Sequence, residues 1–145
     1  MTLHTSIRLL KLAALGSALF GLAMVLALIS PLKLVFDSFL DLVHWPLDSQ
    51  QALAGDSARV LAAITGGLMV GLGALVWCIT TDVYAKDPQT GGRIILIGVC
   101  AWYLPDSFGS YMVGAGFNVV LNTGFLAMFV LPILLHRQAS KAVLA

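Results

Sequence analysis

Asp106 is the residue best placed to do chemistry in this chain, because it lies in an apolar stretch among hydrophilic neighbours at helical spacing. The run reads Trp102-Tyr103-Leu-Pro105-Asp106-Ser107-Phe-Gly109-Ser110-Tyr111, then Asn118-Val-Val-Leu-Asn122-Thr123. Asp106 and Ser110 are four apart, as are Asn118 and Asn122, so each pair shares one helix face. With a turn near Ala115 the two helices run antiparallel, which sets Asp106 level with about Thr123 and Ser110 level with about Val120. A carboxylate at the centre of a membrane helix costs about 2.5–3.5 kcal/mol, so it turns inward and seeks hydrogen-bond donors. Asn122, Thr123 and Ser110 can supply them, and Ser107 and Asn118 complete the polar cluster. Pro105 has no N–H for the carbonyl of Ala101, which frees one more polar group and predicts a kink. Arg59, on the same side of the chain, is the expected ion-pair partner of Asp106. Two readings stay open at this point. The cluster is either a hydrogen-bonded lock between two helices or a polar ligand pocket walled by Trp102, Tyr103 and Tyr111.

The elements that position these residues are membrane spans. Hydrophobic residues make up 59% of the 145 and charged residues 10%, against about 25% charged in a soluble domain. A soluble protein of this length cannot hide so much apolar side chain. The expected fold is all-α, one domain over residues 1–145, with four transmembrane helices in a bundle. The spans fall at about 12–30, 58–81, 94–113 and 117–135, each near the length a bilayer requires. Pro31 stops the first, Asp56 or Ser57 caps the second, Pro105-Asp106-Ser107 interrupts the third, and Gly114-Ala115-Gly116 turns the chain before the fourth. The first span reads as an uncleaved anchor, because its apolar region exceeds that of a signal peptide and no A-x-A site follows.

Charge sets the direction. If the four spans alternate, Arg8, Lys11, Lys86, Arg93, Arg137 and Lys141 share one side, and only Lys33 and Arg59 lie on the other. Cytoplasmic segments keep Lys and Arg, so both termini and the Asp82–Arg93 loop are expected in the cytoplasm. The opposite side holds residues 32–45, where Leu34, Val35, Phe39, Leu42 and Val43 alternate with Asp37, Ser38 and Asp41 at helical spacing. That pattern predicts a short amphipathic helix lying in the interface, with Trp45 at headgroup depth. It either lids the bundle or covers a ligand entrance. Gly67 and Gly71 form a GxxxG and are the expected close-packing positions, with Ser17 and Gly21 a matching pair on the first span.

Several chemistries lack their residues. There is no G-x-S-x-G, HExxH, P-loop or Cys/His metal spacing. His4 and His136 lie near the chain ends and His44 at the interface, which leaves no pair for haem. No cofactor, no metal and no enzyme activity are expected. Cys78 and Cys100 read as buried thiols acting as small apolar side chains. A formal charge of +1 gives no basic field, so nucleic acid is not a partner.

Arg59 followed by Ile64-Thr-Gly66-Gly67-Leu-Met-Val-Gly71-Leu-Gly73 resembles the DoxX-like group of small bacterial membrane proteins. The likeness covers one span; Arg59 lies seven residues before the paired glycines, and the Asp106–Asn122 cluster falls outside the pattern. The resemblance implies a four-helix membrane bundle in a bacterial inner membrane, with some members serving as accessory subunits of oxidoreductases. It assigns no functional residue. The expected function is a small integral membrane protein of accessory or structural type, dissolved in the bilayer. Its partner would be another membrane helix, a second copy of the chain or a lipid-like molecule. The alternative is a small-molecule or proton-coupled carrier that uses Asp106.

Overall fold

A computed structural model describes residues 1–29 and 31–144, and among these the chain is all-helical. Helix α1 spans Leu3–Leu26, α2 Leu32–Val43, α3 Asp56–Ile79, α4 Pro88–Met112 and α5 Gly116–Leu144. A π-helical turn, Thr80–Tyr84, prolongs α3. Three helices are long and apolar enough to cross a membrane: Leu3–Leu26, Asp56–Tyr84 and Gly116–Ala142. The third expected span, α4, has the length at 25 residues but is not among them. Gln89, Thr90, Arg93, Asp106, Ser107 and Ser110 dilute its apolar run. Leu12, Leu15, Leu19, Leu61, Leu68 and Leu75 stand on the outer surface, and an exterior of that kind fits a protein bathed in lipid.

Side-chain caps set the starts of α1 and α4, whereas α3 begins after Gly55 with no side-chain cap, so the expected cap at Asp56 or Ser57 is not formed. Thr2 caps α1 by accepting the Thr5 amide at 3.2 Å, so the helix begins well before the apolar run at residue 12. The expected end of that span, Ser30, lies outside the described residues. Asp87 caps α4 by accepting the amides of Gln89 and Thr90, both at 3.0 Å, with Pro88 in the first turn. Gly91 and Gly92 therefore sit inside the helix, not in a loop. The helix also runs on through Pro105. Gly114 makes the turn into α5 with φ +82°, a conformation that favours glycine. His136 and Arg137 end the apolar run, but α5 continues past them.

The chain ends gather at one pole of the molecule. The Met1 amino group donates to the Leu135 carbonyl at 3.4 Å, His136 Nδ1 lies 3.3 Å from the Met1 carbonyl, and Arg137 donates to the Gln89 carbonyl at 3.3 Å. We call this the terminal end. The opposite pole, the lid end, carries α2, residues 44–55 and the Gly114 turn, with Trp45 stacked on Phe117 at 6.1 Å. Helix α1 lies along α3, α4 along α5, and α1 also meets α5, whereas α3 scarcely touches α4.

The α1–α3 seam is a backbone-to-backbone contact. A Cβ on Gly66 would come within 2.7 Å of the Gly21 carbonyl, and Gly73 presses as closely on the Ala14–Ala18 turn. Gly21 and Gly66 face one another. The expected packing glycines, Gly67 and Gly71, do not: a Cβ on either would meet nothing within 4 Å. Gly66 and Gly73 are seven apart, two full turns, and this stripe rather than the GxxxG stripe faces α1. Cys78 and Cys100 are free and exposed rather than buried.

At the terminal end the interior is solid. Leu10, Ala13, Ala14, Val76, Tyr84, Ile95, Val99, Phe129 and Ile133 form one buried cluster. Tyr84 enters it from the π turn, and its hydroxyl lies 2.7 Å from Ser6 Oγ, which donates on to the Pro132 carbonyl at 2.9 Å. Gly91 makes room for this, since a Cβ there would collide with the Tyr84 backbone.

Candidate functional site

Asp106 lies at the lid end, where α4 and α5 are bridged by side chains. Its Oδ1 accepts from Asn122 Nδ2 at 3.0 Å, Ser110 Oγ at 3.2 Å and Asn118 Nδ2 at 3.4 Å. Asn118 also donates to Ser110 Oγ at 2.8 Å, and Asn122 reaches Ser107 Oγ at 3.5 Å. The i, i+4 spacing on each helix produces this network, because two neighbouring turns of α4 then face two neighbouring turns of α5. Asp106, Ser107, Ser110, Asn118 and Asn122 thus come together. Thr123 stands apart, 2.9 Å from the Tyr103 hydroxyl and 2.7 Å from the Val119 carbonyl, at the exposed edge of the same seam.

Behind this network lies a cavity of about 420 Å³ to which all five helices contribute. Phe20 and Met24 come from α1, Phe39, Leu40 and Val43 from α2, and Thr65 and Met69 from α3. Trp102 and Asp106 come from α4, and Asn118, Leu121, Asn122 and Phe125 from α5. Aliphatic and aromatic side chains dominate the lining, with Asp106, Asn118 and Asn122 forming its polar wall. The volume lies within the range of about 300–1,000 Å³ usual for small-molecule sites. Helix α3 scarcely touches α4, and α2 contributes Phe39, Leu40 and Val43 to the lining.

Helix α2 is held in that position from both sides. Beneath it, Phe20, Phe36 and Phe39 pack ring to ring with centroids 5.3–6.0 Å apart, and Phe36 is buried with Met24 and Ala27. On its other side, Asp37 accepts the Leu53 amide at 2.6 Å, and Asp41 accepts the amides of Ser49 at 2.9 Å and Asp48 at 3.3 Å. The two aspartates fold residues 48–53 back along the helix. Lys33 pairs with Asp37 one turn away, and that bond, with the Leu53 amide, holds the Asp37 carboxyl below the usual aspartate range.

Besides Thr123, three expected site residues lie elsewhere. Arg59 does not pair with Asp106; its guanidinium donates to the Leu28 carbonyl at 3.1 Å and lines a separate small hollow with Lys33. Arg59 begins its helix at the rim and reaches the end of α1 first. Tyr103 and Tyr111 are not cavity walls: Tyr103 bonds Thr123 at the outer edge, and Tyr111 is 73% exposed. Of the three expected aromatic walls only Trp102 borders the cavity. The missing walls are Phe20, Phe39 and Phe125, whose only signal in the sequence is hydrophobicity. The acids of α2 did signal a polar face, but nothing in their spacing says that a loop will occupy it.

A wider hollow, about 770 Å³, lies at the terminal end between Asp87, Gln89, Thr90, Arg93, His136, Arg137 and Lys141. Its lining residues are polar or charged apart from Pro88, with no aliphatic or aromatic side chain of the kind that lines the lid-end cavity. Hydrogen bonds from the Thr90 side chain and the Thr90 and Gln89 amides keep the Asp87 carboxyl below its usual range. Among the described residues no cluster of three or more potential ligands could hold a metal ion. No family model, no curated protein and no solved structure matches the chain.

Proposed function

We propose that this chain is a small integral membrane protein of accessory type that holds an amphiphilic, lipid-like molecule in the cavity beneath α2. In this reading α4 crosses the bilayer with the three more apolar helices, giving four spans and an amphipathic lid. The termini then lie in the cytoplasm, in accord with Arg8, Lys11, Lys86, Arg93, Arg137 and Lys141 on that side. The observation that carries the proposal is the lining: an apolar chamber with one carboxylate and two carboxamides along a single wall. Such a chamber solvates a hydrocarbon body and offers hydrogen bonds to a polar head. Network bonds alone explain why α4 and α5 adhere, but not why the helices leave a chamber beside them. The likeness of residues 59–73 to DoxX-like proteins is in keeping with an accessory role.

The chain purified in mild detergent and extracted into organic solvent should release a stoichiometric amphiphile visible by mass spectrometry. Leu121→Phe, which pushes a ring into the chamber, should release much less. Equal, substoichiometric lipid from both proteins would refute the binding role.

A further inference from the structure

We infer that the occupant of the cavity is an organic cation, an ammonium-type head carrying an apolar tail. The inference rests on the reading of the cavity as a binding site and specifies its ligand class. Asp106 is the sole ionisable residue in the lining, and no Lys, Arg or His borders the chamber. Among the described residues the one ion pair is Lys33–Asp37, so Asp106 has no protein counter-ion.

The hydrogen bonds are also one-sided. Oδ1 receives all three, from Ser110, Asn118 and Asn122, while Oδ2 receives none among the described residues. The protein therefore fixes the carboxylate by one oxygen and leaves the other for a donor from the chamber. A carboxylate beside apolar walls and without a counter-ion is costly, and a cation relieves that cost more fully than a neutral hydroxyl. Phe20, Phe39, Trp102 and Phe125 ring the same space. Aromatic faces attract cations, and the attraction strengthens where water is excluded. A carboxylate opposed to aromatic rings repels an anionic head, which excludes fatty acids and acidic lipids as occupants.

The test uses the full chain in nanodiscs of an uncharged glycolipid, whose heads carry no ammonium group, followed by tryptophan fluorescence. The probes are octylammonium, octanol and octanoate, which share a tail and differ in head. Leu121→Phe serves as the control for simple partition into lipid. Octylammonium should bind saturably and about tenfold more tightly than octanol, octanoate should be weakest, and Asp106→Asn should erase the difference between amine and alcohol. Octanol or octanoate binding as tightly as octylammonium would overturn the cation assignment and leave the cavity a binding site. A preference for the amine that survives in Asp106→Asn would overturn it too. No saturable binding of any probe beyond the Leu121→Phe control would overturn both the assignment and the binding role beneath it. The comparison of amine with alcohol needs only the unaltered chain, so it stands even if Asp106→Asn folds poorly.

Discussion

At the terminal end, Leu10, Tyr84, Ile95, Val99, Phe129 and Ile133 interlock with almost no exposed surface. At the lid end the same long helices part around a chamber of about 420 Å³. Both ends also contain buried polar groups, but they use them differently. Ser6, Tyr84 and the Pro132 carbonyl form a closed chain in which each hydroxyl has a partner. Asp106, which lines the chamber, receives hydrogen bonds on one carboxylate oxygen and none on the other among the described residues. The Ser6–Tyr84 chain ties the terminal core together, where Thr80 Oγ1 is nevertheless buried without a hydrogen bond among the described residues, whereas the Asp106 network opens on a chamber.

The contrast can be broken by mutation. The largest effect is expected for Gly91→Ala, whose new methyl would meet the Tyr84 backbone. A loss of about 3 kcal/mol, or failure to accumulate in the membrane, should follow. Along the α1–α3 seam Gly66→Ala should cost about 1–3 kcal/mol in detergent unfolding, while Gly67→Ala, with open space around it, should be neutral or slightly stabilising. Next comes the difference between filled and hollow. Val99→Phe should cost about 2 kcal/mol by overpacking, whereas Leu121→Phe should change the melting temperature little, because the chamber admits the ring. Equal losses for these two would mean that the lid end is as tightly packed as the terminal end.

Smaller effects sharpen the same contrast. Tyr84→Phe removes one of the two partners of buried Ser6 and should cost about 1–2 kcal/mol. Tyr103→Phe breaks a bond at the exposed edge and should cost less than about 0.5 kcal/mol. The smallest effect concerns Asp37, whose carboxyl is held low by Lys33 and the Leu53 amide. Its contribution is therefore fully present above the ordinary aspartate value and lost as pH falls through the lower folded value. Hydrogen exchange at the Leu53 amide, taken relative to the intrinsic rate at each pH, should be slow at neutral pH and accelerate only in that acid range. In Asp37→Asn it should be fast throughout. Acceleration already near neutral pH would show that this pair does not hold the loop.

Much of this architecture was legible in the residues, and the exceptions have physical reasons. The turn at Gly114 and the face shared by Asp106, Ser110, Asn118 and Asn122 follow from local geometry, which spacing encodes directly. The amphipathic helix at 32–43 follows from the same periodicity. Helix ends did not coincide with span ends: Thr2 and Asp87 start helices where the chain is still polar, and α5 continues beyond His136. Hydropathy marks what lipid accepts, not where backbone hydrogen bonds stop. The GxxxG at Gly67 and Gly71 has the right spacing on the wrong stripe, because spacing does not say which way a face points. Charge and a shared side of the chain point Arg59 toward Asp106, yet its guanidinium donates to the Leu28 carbonyl just past α1. The chamber was the least legible feature, since five helices must meet before Phe20, Phe39 and Leu121 are seen to share one space.

The most direct test of a chamber at the lid end uses Trp102 as its reporter. In a chain carrying Trp45→Phe and Trp77→Phe, Trp102 is the remaining tryptophan, and a short alkyl probe brominated in its tail quenches only on contact. Saturable quenching that unlabelled octylammonium competes away, and that Leu121→Phe abolishes, is the expected result. Quenching that rises linearly with probe, to the same extent in both proteins, would contradict the existence of the site.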